Sequence, residues 1–290
     1  MKSSSLNTRL WLMAGLMSAV LFLPASSNAQ GGQTAASGSV MSNSNSMTDS
    51  TRAAKQLEDA YLRQTLGGPQ EEAAYQAFHK ASEQDFNKKI KLGDAFLAKY
   101  PKDRYSAAVY EEMSQTYYDQ KNLASFYIYS DKGLLLFPDD VHLLALTGWV
   151  IPRAFVPSEP DADKKLDKAE TYSKHALEVM GTLPKPDAIT DEQFAQYKTG
   201  EAAVAHSGLG LVYFRREQYV ASAKELQTAI QDETNPDPTD LFILGADLQN
   251  LGRFKEASDA FNRCGQIAGS MQDRCKQYAS TALKHAAEAQ

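Results

Sequence analysis

The side chains that could carry out chemistry are few and scattered in this sequence of 290 residues. None of the five histidines lies four residues from another, and there is no H-E-x-x-H motif, so the sequence predicts no metal site. Ser207 is flanked by His206 and Gly208 but lacks the G-x-S-x-G context that exposes a nucleophilic serine. The G-x4-G-K loop that would hold a phosphate is also missing. The sequence therefore predicts a protein that is not an enzyme and needs no cofactor.

Three acidic residues, Asp161, Asp163 and Asp167, have the spacing of the first ligands of a calcium loop. Such a loop also requires an oxygen ligand at residue 165 and glycine at residue 166, where the sequence has lysine and leucine. We interpret the three acids as the start of a helix beside a solvated loop, where carboxylates are favourable.

The N-terminal residues have the layout of a secretory signal peptide. Lys2 and Arg9 precede an apolar run at residues 10–23, and small polar residues then lead to a cleavage site between Ala29 and Gln30. The apolar run of 14 residues is shorter than the roughly 20 that span a bilayer. The sequence therefore predicts a signal peptide at 1–29, export to the periplasm or the extracellular space, and no permanent membrane anchor after cleavage.

Composition restricts the class of protein further. Thirty basic and 36 acidic residues give a net charge of −6, which argues against a nucleic-acid binder because such proteins carry a basic surface. Residues 30–50 are rich in Gly, Ser and Asn and have little to bury, so we predict a disordered tether there.

From residue 51 onward, apolar residues recur at intervals of three and four, which is typical of helices. The dipeptides Leu209-Gly210 and Leu244-Gly245 lie 35 residues apart. The second dipeptide is followed by further residues of a repeat pattern: Leu248, Ala257 and Phe261. In this pattern the chain resembles the tetratricopeptide repeat (TPR) family, whose unit is a helix-turn-helix of about 34 residues. The resemblance implies an all-α fold, a right-handed α-α superhelix of stacked helix pairs.

The same resemblance divides the chain. We expect N-terminal helices with a degenerate repeat at 51–101, TPR-like repeats at 107–271 and a C-terminal capping helix at 271–290. Insertions are expected at 152–163, as an irregular loop, and at 181–200, which includes a separate helical stretch. Within the last full unit we expect Gly245 to meet Ala257 where the two helices cross.

The two cysteines, Cys264 and Cys275, lie on successive predicted helices. Because the signal peptide places them in an oxidising compartment, we predict a structural disulfide between them. The alternative is two buried small residues that never meet.

In TPR proteins that bind ligands, fixed positions of each first helix line the concave face. The resemblance carries that role to these residues: Glu111, Gln115, Tyr118, Asp119, His142, Trp149, Leu211, Phe214, Arg215, Phe242, Gln249 and Asn250. Tyr118, Trp149, Phe214 and Phe242 would form an aromatic stripe suited to an extended peptide or a helix. The alternative is that the N-terminal segment of the chain or the loop at 152–163 fills the groove.

The function predicted from the sequence is that of an exported, non-enzymatic helical-repeat protein that binds a protein or peptide in the bacterial envelope. One alternative is an accessory subunit of an envelope-assembly or secretion complex that acts through convex or terminal surfaces. Another is a glycan-binding accessory protein, supported only by the aromatic stripe. The sequence specifies neither the partner nor the oligomeric state.

Overall fold

A computed structural model describes residues 68–81, 85–187, 189–231 and 236–289. The predicted signal peptide, its cleavage site at Ala29 and Gln30, the tether and the first part of the N-terminal helices lie outside the described residues. All described residues belong to one unit, Met41–Gln290.

The described residues form α-helices joined by loops and turns, with no β-strand among them. In chain order these helices are α1 (Pro69–His79), α2 (Phe86–Lys99), α3 (Ser106–Asp119), α4 (Leu123–Leu136), α5 (Val141–Arg153), α6 (Ala162–Thr182), α7 (Asp191–Arg215), α8 (Tyr219–Ile230), α9 (Pro238–Asn250), α10 (Phe254–Gln266) and α11 (Gln272–Glu288). A membrane crossing requires a long, uniformly apolar helix, and none of the described helices meets both conditions.

The helices pack as consecutive pairs, and the first helices of neighbouring pairs contact each other as well. The pairs α3–α4, α5–α6, α7–α8 and α9–α10 are each in extensive contact, and α11 packs on α10. Contacts between α5 and α7, and between α7 and α9, join the pairs into one stack. The predicted all-α helical-repeat fold is therefore confirmed.

The same turn connects the two helices of three pairs. Lys121, Glu217 and Gly252 occupy equivalent positions in these turns and all have positive φ angles, of 57°, 59° and 74°. After the second of these residues, the backbone N–H of Gln218 donates to the carbonyl of Tyr213, as that of Arg253 does to Leu248 in the third turn. Each of these first helices thus ends in the same C-terminal cap, which shows that the repeat in the sequence is also a repeat of backbone conformation.

Glycines allow the first helices to approach their neighbours closely. A Cβ atom at Gly148 would lie 2.2 Å from Ser173 Oγ, and one at Gly208 would lie 3.0 Å from the carbonyl of Gly148. A Cβ at Gly245 would lie 2.7 Å from the ring of Phe261. The expectation that Gly245 meets Ala257 is therefore corrected: the close partner is the phenyl ring, one helical turn further along α10.

The two insertions take different forms. Helix α5 continues through Pro152 to Arg153, so the irregular loop covers only residues 154–161 before α6 begins. Where a separate helical stretch was expected before residue 200, the structure has the N-terminal part of α7, which runs without a break from Asp191. Thr190 starts this helix with a capping box, in which its Oγ1 accepts from the backbone N–H of Gln193 at 3.1 Å.

The C-terminal helix α11 is tied to α10 by a disulfide. The structure joins Cys264 to Cys275 with a Cα separation of 5.7 Å, which is within the range of disulfides. Both cysteines are buried. The link holds α11 over the apolar face that α10 would otherwise expose.

At the other end of the described helices, a buried lysine joins α1, α2 and α3. Lys89 Nζ lies 2.6 Å from Glu112 Oε2, and His79 Nδ1 lies 2.6 Å from the other oxygen of the same carboxylate. The ring of Phe78 covers the ammonium group at 5.0 Å, and only 2% of the Lys89 side chain is exposed. We call Lys89, Glu112, His79 and Phe78 the Lys89 cluster.

Candidate partner-binding groove

Arg153, the last residue of α5, connects three first helices. Its Nη2 atom donates to three side-chain oxygens: Asp240 Oδ1 at 2.8 Å, Ser207 Oγ at 2.9 Å and Asp237 Oδ2 at 3.1 Å. Ser207 belongs to α7, while Asp237 is the N-cap of α9 and Asp240 lies in its first turn. The guanidinium group therefore fixes the position of α9 relative to α5 and α7.

Aromatic rings form a wall beside this guanidinium group. Its central carbon lies 3.7 Å from the centroid of the Trp149 ring, a cation-π contact. The ring of Tyr118, on α3, meets Trp149 edge to face at 5.6 Å. We call Tyr118, Trp149 and Arg153, with the oxygens that hold Arg153, the Arg153 cluster.

A small open cavity, about 230 Å³ with the solvent at its mouth included, adjoins the Arg153 cluster. Its lining combines apolar and polar side chains from α5, α7, α8 and the start of α9: Trp149, Ala203, Val204, Ser207, Ala229, Ile230, Asp237 and Asp240. Pockets for small molecules usually measure roughly 300–1,000 Å³. The cavity is therefore too small to hold a complete small ligand.

The charges at this site are perturbed by burial. Burial raises the pKa of Asp240 to about 6, because the attraction of Arg153 is offset by the nearby charge of Asp237. Burial and the charge of Arg153 together lower the pKa of Arg215 to about 10. The Nε–H of Arg215 donates to the carbonyl of Pro152 at 3.1 Å, and its guanidinium carbon lies 5.4 Å from the Phe155 ring.

The structure brings some of the predicted groove residues to this site and leaves others elsewhere. Tyr118 and Trp149 are in contact, and Arg215 lies close enough to Arg153 for their charges to interact. Leu211 is buried. The remaining predicted positions have local partners or partial exposure: Gln115 donates to Asp119 at 2.8 Å, Phe214 meets Tyr219 at 6.2 Å, Asn250 donates to the carbonyl of Ala246 at 2.9 Å, and Gln249 is half-buried.

Phe242 does not extend the aromatic stripe. It is 3% exposed, and its ring packs against Phe261 at 5.4 Å and Tyr278 at 5.1 Å. Because α11 supplies Tyr278, the capping helix covers the position that faces the groove in other units. The four-membered stripe is therefore corrected to the pair Tyr118 and Trp149.

His142 is a buried residue and does not line the groove. Its Nδ1 lies 2.8 Å from Oε1 of Glu201, a carboxylate that is fully buried on the N-terminal half of α7. Burial would lower the pKa of His142, but the charge and hydrogen bond of Glu201 outweigh burial and raise it. Glu111 is engaged nearby through a hydrogen bond with the side chain of Asp140. The long α7 thus covers this part of α5.

Sequence reasoning missed Arg153, Asp237 and Asp240. Arg153 fell in the residues assigned to the insertion at 152–163, although α5 includes it. Asp237 followed by proline is a helix-start signal, since Asp is a favoured N-cap and Pro is favoured at the first helical position. Within the described ranges, no group of three or more His, Cys, Asp or Glu side chains could hold a metal ion.

Comparison with known proteins gives a structural neighbour and no sequence relative. No protein-family model matches the chain, and no curated protein matches it. A solved structure, that of PilW, described as a widely conserved type IV pilus biogenesis factor, aligns with a TM-score of 0.54 at 15% identity. The alignment covers 76% of this chain and 89% of that one. The fold of this chain is thus a tetratricopeptide-type helical repeat like that of PilW, and the likeness shows the fold alone.

Proposed function

We propose that this protein is an exported, non-enzymatic scaffold that binds a protein or peptide partner in the bacterial envelope through the groove at the Arg153 cluster. The observation that carries the proposal is the open cavity beside this cluster. Side chains from successive first helices converge there on the Trp149 ring and on three fixed polar groups, an arrangement suited to an extended partner.

Rigidity of the groove supports a binding role. Arg153 is held by three oxygens and by the Trp149 ring, so its orientation costs little further entropy when a partner binds. None of the described residues that line the cavity belongs to the loop at 154–161. The cavity itself is therefore not filled by this loop, although the loop's Phe155 lies beside Arg215.

The place of this protein in the envelope is proposed from three features. The signal-peptide pattern at residues 1–29 and the disulfide both suit an oxidising compartment. The structural neighbour PilW is described as a pilus biogenesis factor. We therefore favour a periplasmic role in assembling an envelope structure such as a pilus, with the partner being a component of that assembly.

A second candidate surface is the exposed face of α4. Ile128 and Leu135 lie seven residues apart on one face of this helix and are 51% and 82% exposed. Exposed apolar side chains of this size favour contact with another protein. This face would serve the alternative role, that of an accessory subunit acting through an outer surface. The glycan-binding alternative loses the extended aromatic stripe on which it depended.

Affinity capture from envelope extracts, with the bound proteins identified by mass spectrometry, tests the two surfaces against each other. The bait is the mature chain, compared with Tyr118→Ala in the groove and Leu135→Asp on α4. We expect Tyr118→Ala to lose a partner that Leu135→Asp retains. Loss by Leu135→Asp alone would refute the groove and support the second surface.

A further inference from the structure

Three arginines near the groove differ in how their charge is compensated. Arg153 contacts the carboxylates of Asp237 and Asp240, and Arg216 contacts those of Asp167 and Glu170. Arg215 lies beside both and is half-buried, yet none of the described carboxylates pairs with it.

The orientation of Arg215 is fixed even though its charge is unpaired. Its Nε–H donates to the Pro152 carbonyl, and the Phe155 ring lies beside the guanidinium group. The described structure gives the two terminal nitrogens no acceptor. A guanidinium group held in this way presents the paired donors that match a carboxylate. Partial burial also favours pairing of this guanidinium group with an anion, because a desolvated charge is costly when it is uncompensated.

We propose that Arg215 binds a carboxylate of the partner, supplied by an Asp or Glu side chain within an extended peptide. This inference rests on the proposed function, because it requires a peptide in the groove. It goes further by assigning the chemistry of one residue of that peptide.

The spacing along α7 sets the distance between the acidic residue and the side chain that enters the cavity. Ser207, which lines the cavity, and Arg215 are eight residues apart, which corresponds to about 12 Å along a helix. An extended peptide rises about 3.3 Å per residue. A peptide that places one side chain in the cavity therefore reaches Arg215 with a residue three or four positions away, which an internal acidic residue satisfies.

Selection from a displayed library of random 12-residue peptides, with the disulfide-intact mature chain as bait, tests the inference. We expect the selected peptides to carry Asp or Glu three or four positions from an apolar residue. Fluorescence polarisation then measures the affinity of single peptides for wild type, Arg215→Gln, Arg215→Lys and Arg263→Gln. The last is a matched control, since Arg263 is exposed and the same charge is removed.

Arg215→Gln should weaken an acidic peptide about tenfold or more, as loss of a charged hydrogen bond does. Changing the acid to its amide should cause the same loss, and combining both changes should add little. Arg215→Lys should restore part of the affinity, and Arg263→Gln should leave it unchanged. An equal loss for the acidic peptide and its amide form would refute the inference, since it would indicate a structural effect of the variant.

Two further outcomes separate this inference from the proposed function. If amidation of the peptide C-terminus alone abolishes the effect of Arg215→Gln, Arg215 binds a terminal carboxylate and the side-chain assignment is wrong. If peptides bind at the Arg153 cluster but ignore Arg215, only the inference fails. A library that yields no binding peptide contradicts the proposed function, and the inference fails with it.

Discussion

Lys89 and Arg153 are both cations held between helices by carboxylates, but their surroundings differ. Lys89 is sealed by Phe78, and 2% of its side chain is exposed. Arg153 lies on Trp149, keeps 14% of its side chain exposed and adjoins an open cavity. A cation–carboxylate pair therefore stabilises helix packing in the first cluster, whereas in the second it also adjoins a cavity that is open to solvent.

This difference shows why a charged residue inside a helical repeat cannot be assigned a role from its pairing alone. In the Lys89 cluster the ion pair compensates for the water that burial removes from the ammonium group, which has almost no surface left for a partner. In the Arg153 cluster the ion pair holds a guanidinium group that stays 14% exposed against the largely buried Trp149 ring. The adjoining cavity, which depends on how four helices meet, distinguishes the two clusters.

The largest effect on stability is expected at the Lys89 cluster. Lys89→Ala leaves the buried carboxylate of Glu112 without its closest cation and should lower the free energy of unfolding by about 3–5 kcal/mol. Urea denaturation measures the loss, and Lys88→Ala, at the exposed neighbouring residue, is the control. Equal stability of both variants would show that the Lys89 cluster does not hold the helices together.

The disulfide lies away from both clusters and serves as a reference, because its loss should lower stability without affecting the groove. Replacing Cys264 and Cys275 by alanine should lower the free energy of unfolding by about 2–3 kcal/mol, because the disulfide closes a short loop. Peptide binding at the groove should be unchanged in urea-free buffer. Thiol titration of unreduced, denatured protein should detect no free thiol in the exported wild type, and two free thiols per chain would refute the bond.

At the Arg153 cluster we expect a smaller effect on stability than at the Lys89 cluster and a larger effect on partner binding. Arg153→Ala should cost about 2 kcal/mol of stability, less than Lys89→Ala, because Asp240, whose pKa burial already raises to about 6, can take up a proton when the guanidinium group is removed. It should nevertheless abolish partner binding, since the Trp149 wall loses its support. A variant that binds the partner like wild type would remove Arg153 from the site.

Asp247 differs from the acids of both clusters, because it is a buried carboxyl group in contact with a hydroxyl group. Ser222 Oγ lies 2.5 Å from Asp247 Oδ2 and 2.9 Å from the carbonyl of Gly210. A single hydroxyl proton serves both contacts only if Asp247 is protonated and donates to Ser222. Burial raises the pKa of Asp247 to about 8, in agreement with that arrangement.

A carboxyl group whose pKa is higher in the folded state makes the protein less stable as pH rises. The free energy of unfolding should therefore fall between about pH 4, near the unfolded pKa, and about pH 8, by at most about 1.4 kcal/mol per pH unit. Asp247→Asn mimics the protonated form and should remove this slope. Urea denaturation at pH 5 and pH 8 measures the difference, and identical slopes for both proteins would contradict a protonated Asp247.

The repeat itself was predictable from the sequence because its cause is local. Gly210 and Gly245 recur 35 residues apart, since each helix pair needs one close crossing. The partner of the glycine at that crossing could not be predicted, because a small residue indicates a close contact without identifying the side chain that makes it. Gly245 was therefore assigned to Ala257 instead of the Phe261 ring.

The groove was predictable only where each repeat unit retains its standard neighbours. Tyr118 and Trp149 meet as their positions suggest. Phe242 and His142 were also predicted to line the groove, but α11 covers the first and the extended start of α7 covers the second. Arg153 was missed because the helix boundary lies beyond Pro152, and proline is normally read as the end of a helix.

Site-specific photo-crosslinking in the living cell shows whether a partner contacts the groove at the Arg153 cluster. The crosslink records the contact where it occurs, before the cell is broken. A photoreactive amino acid is placed at Phe155, beside Arg215 at the groove, and in a second strain at Leu135 on α4. We expect a discrete crosslinked protein from residue 155 that Arg153→Ala abolishes. Crosslinks from residue 135 alone, or crosslinks from residue 155 that persist with Arg153→Ala, would contradict it.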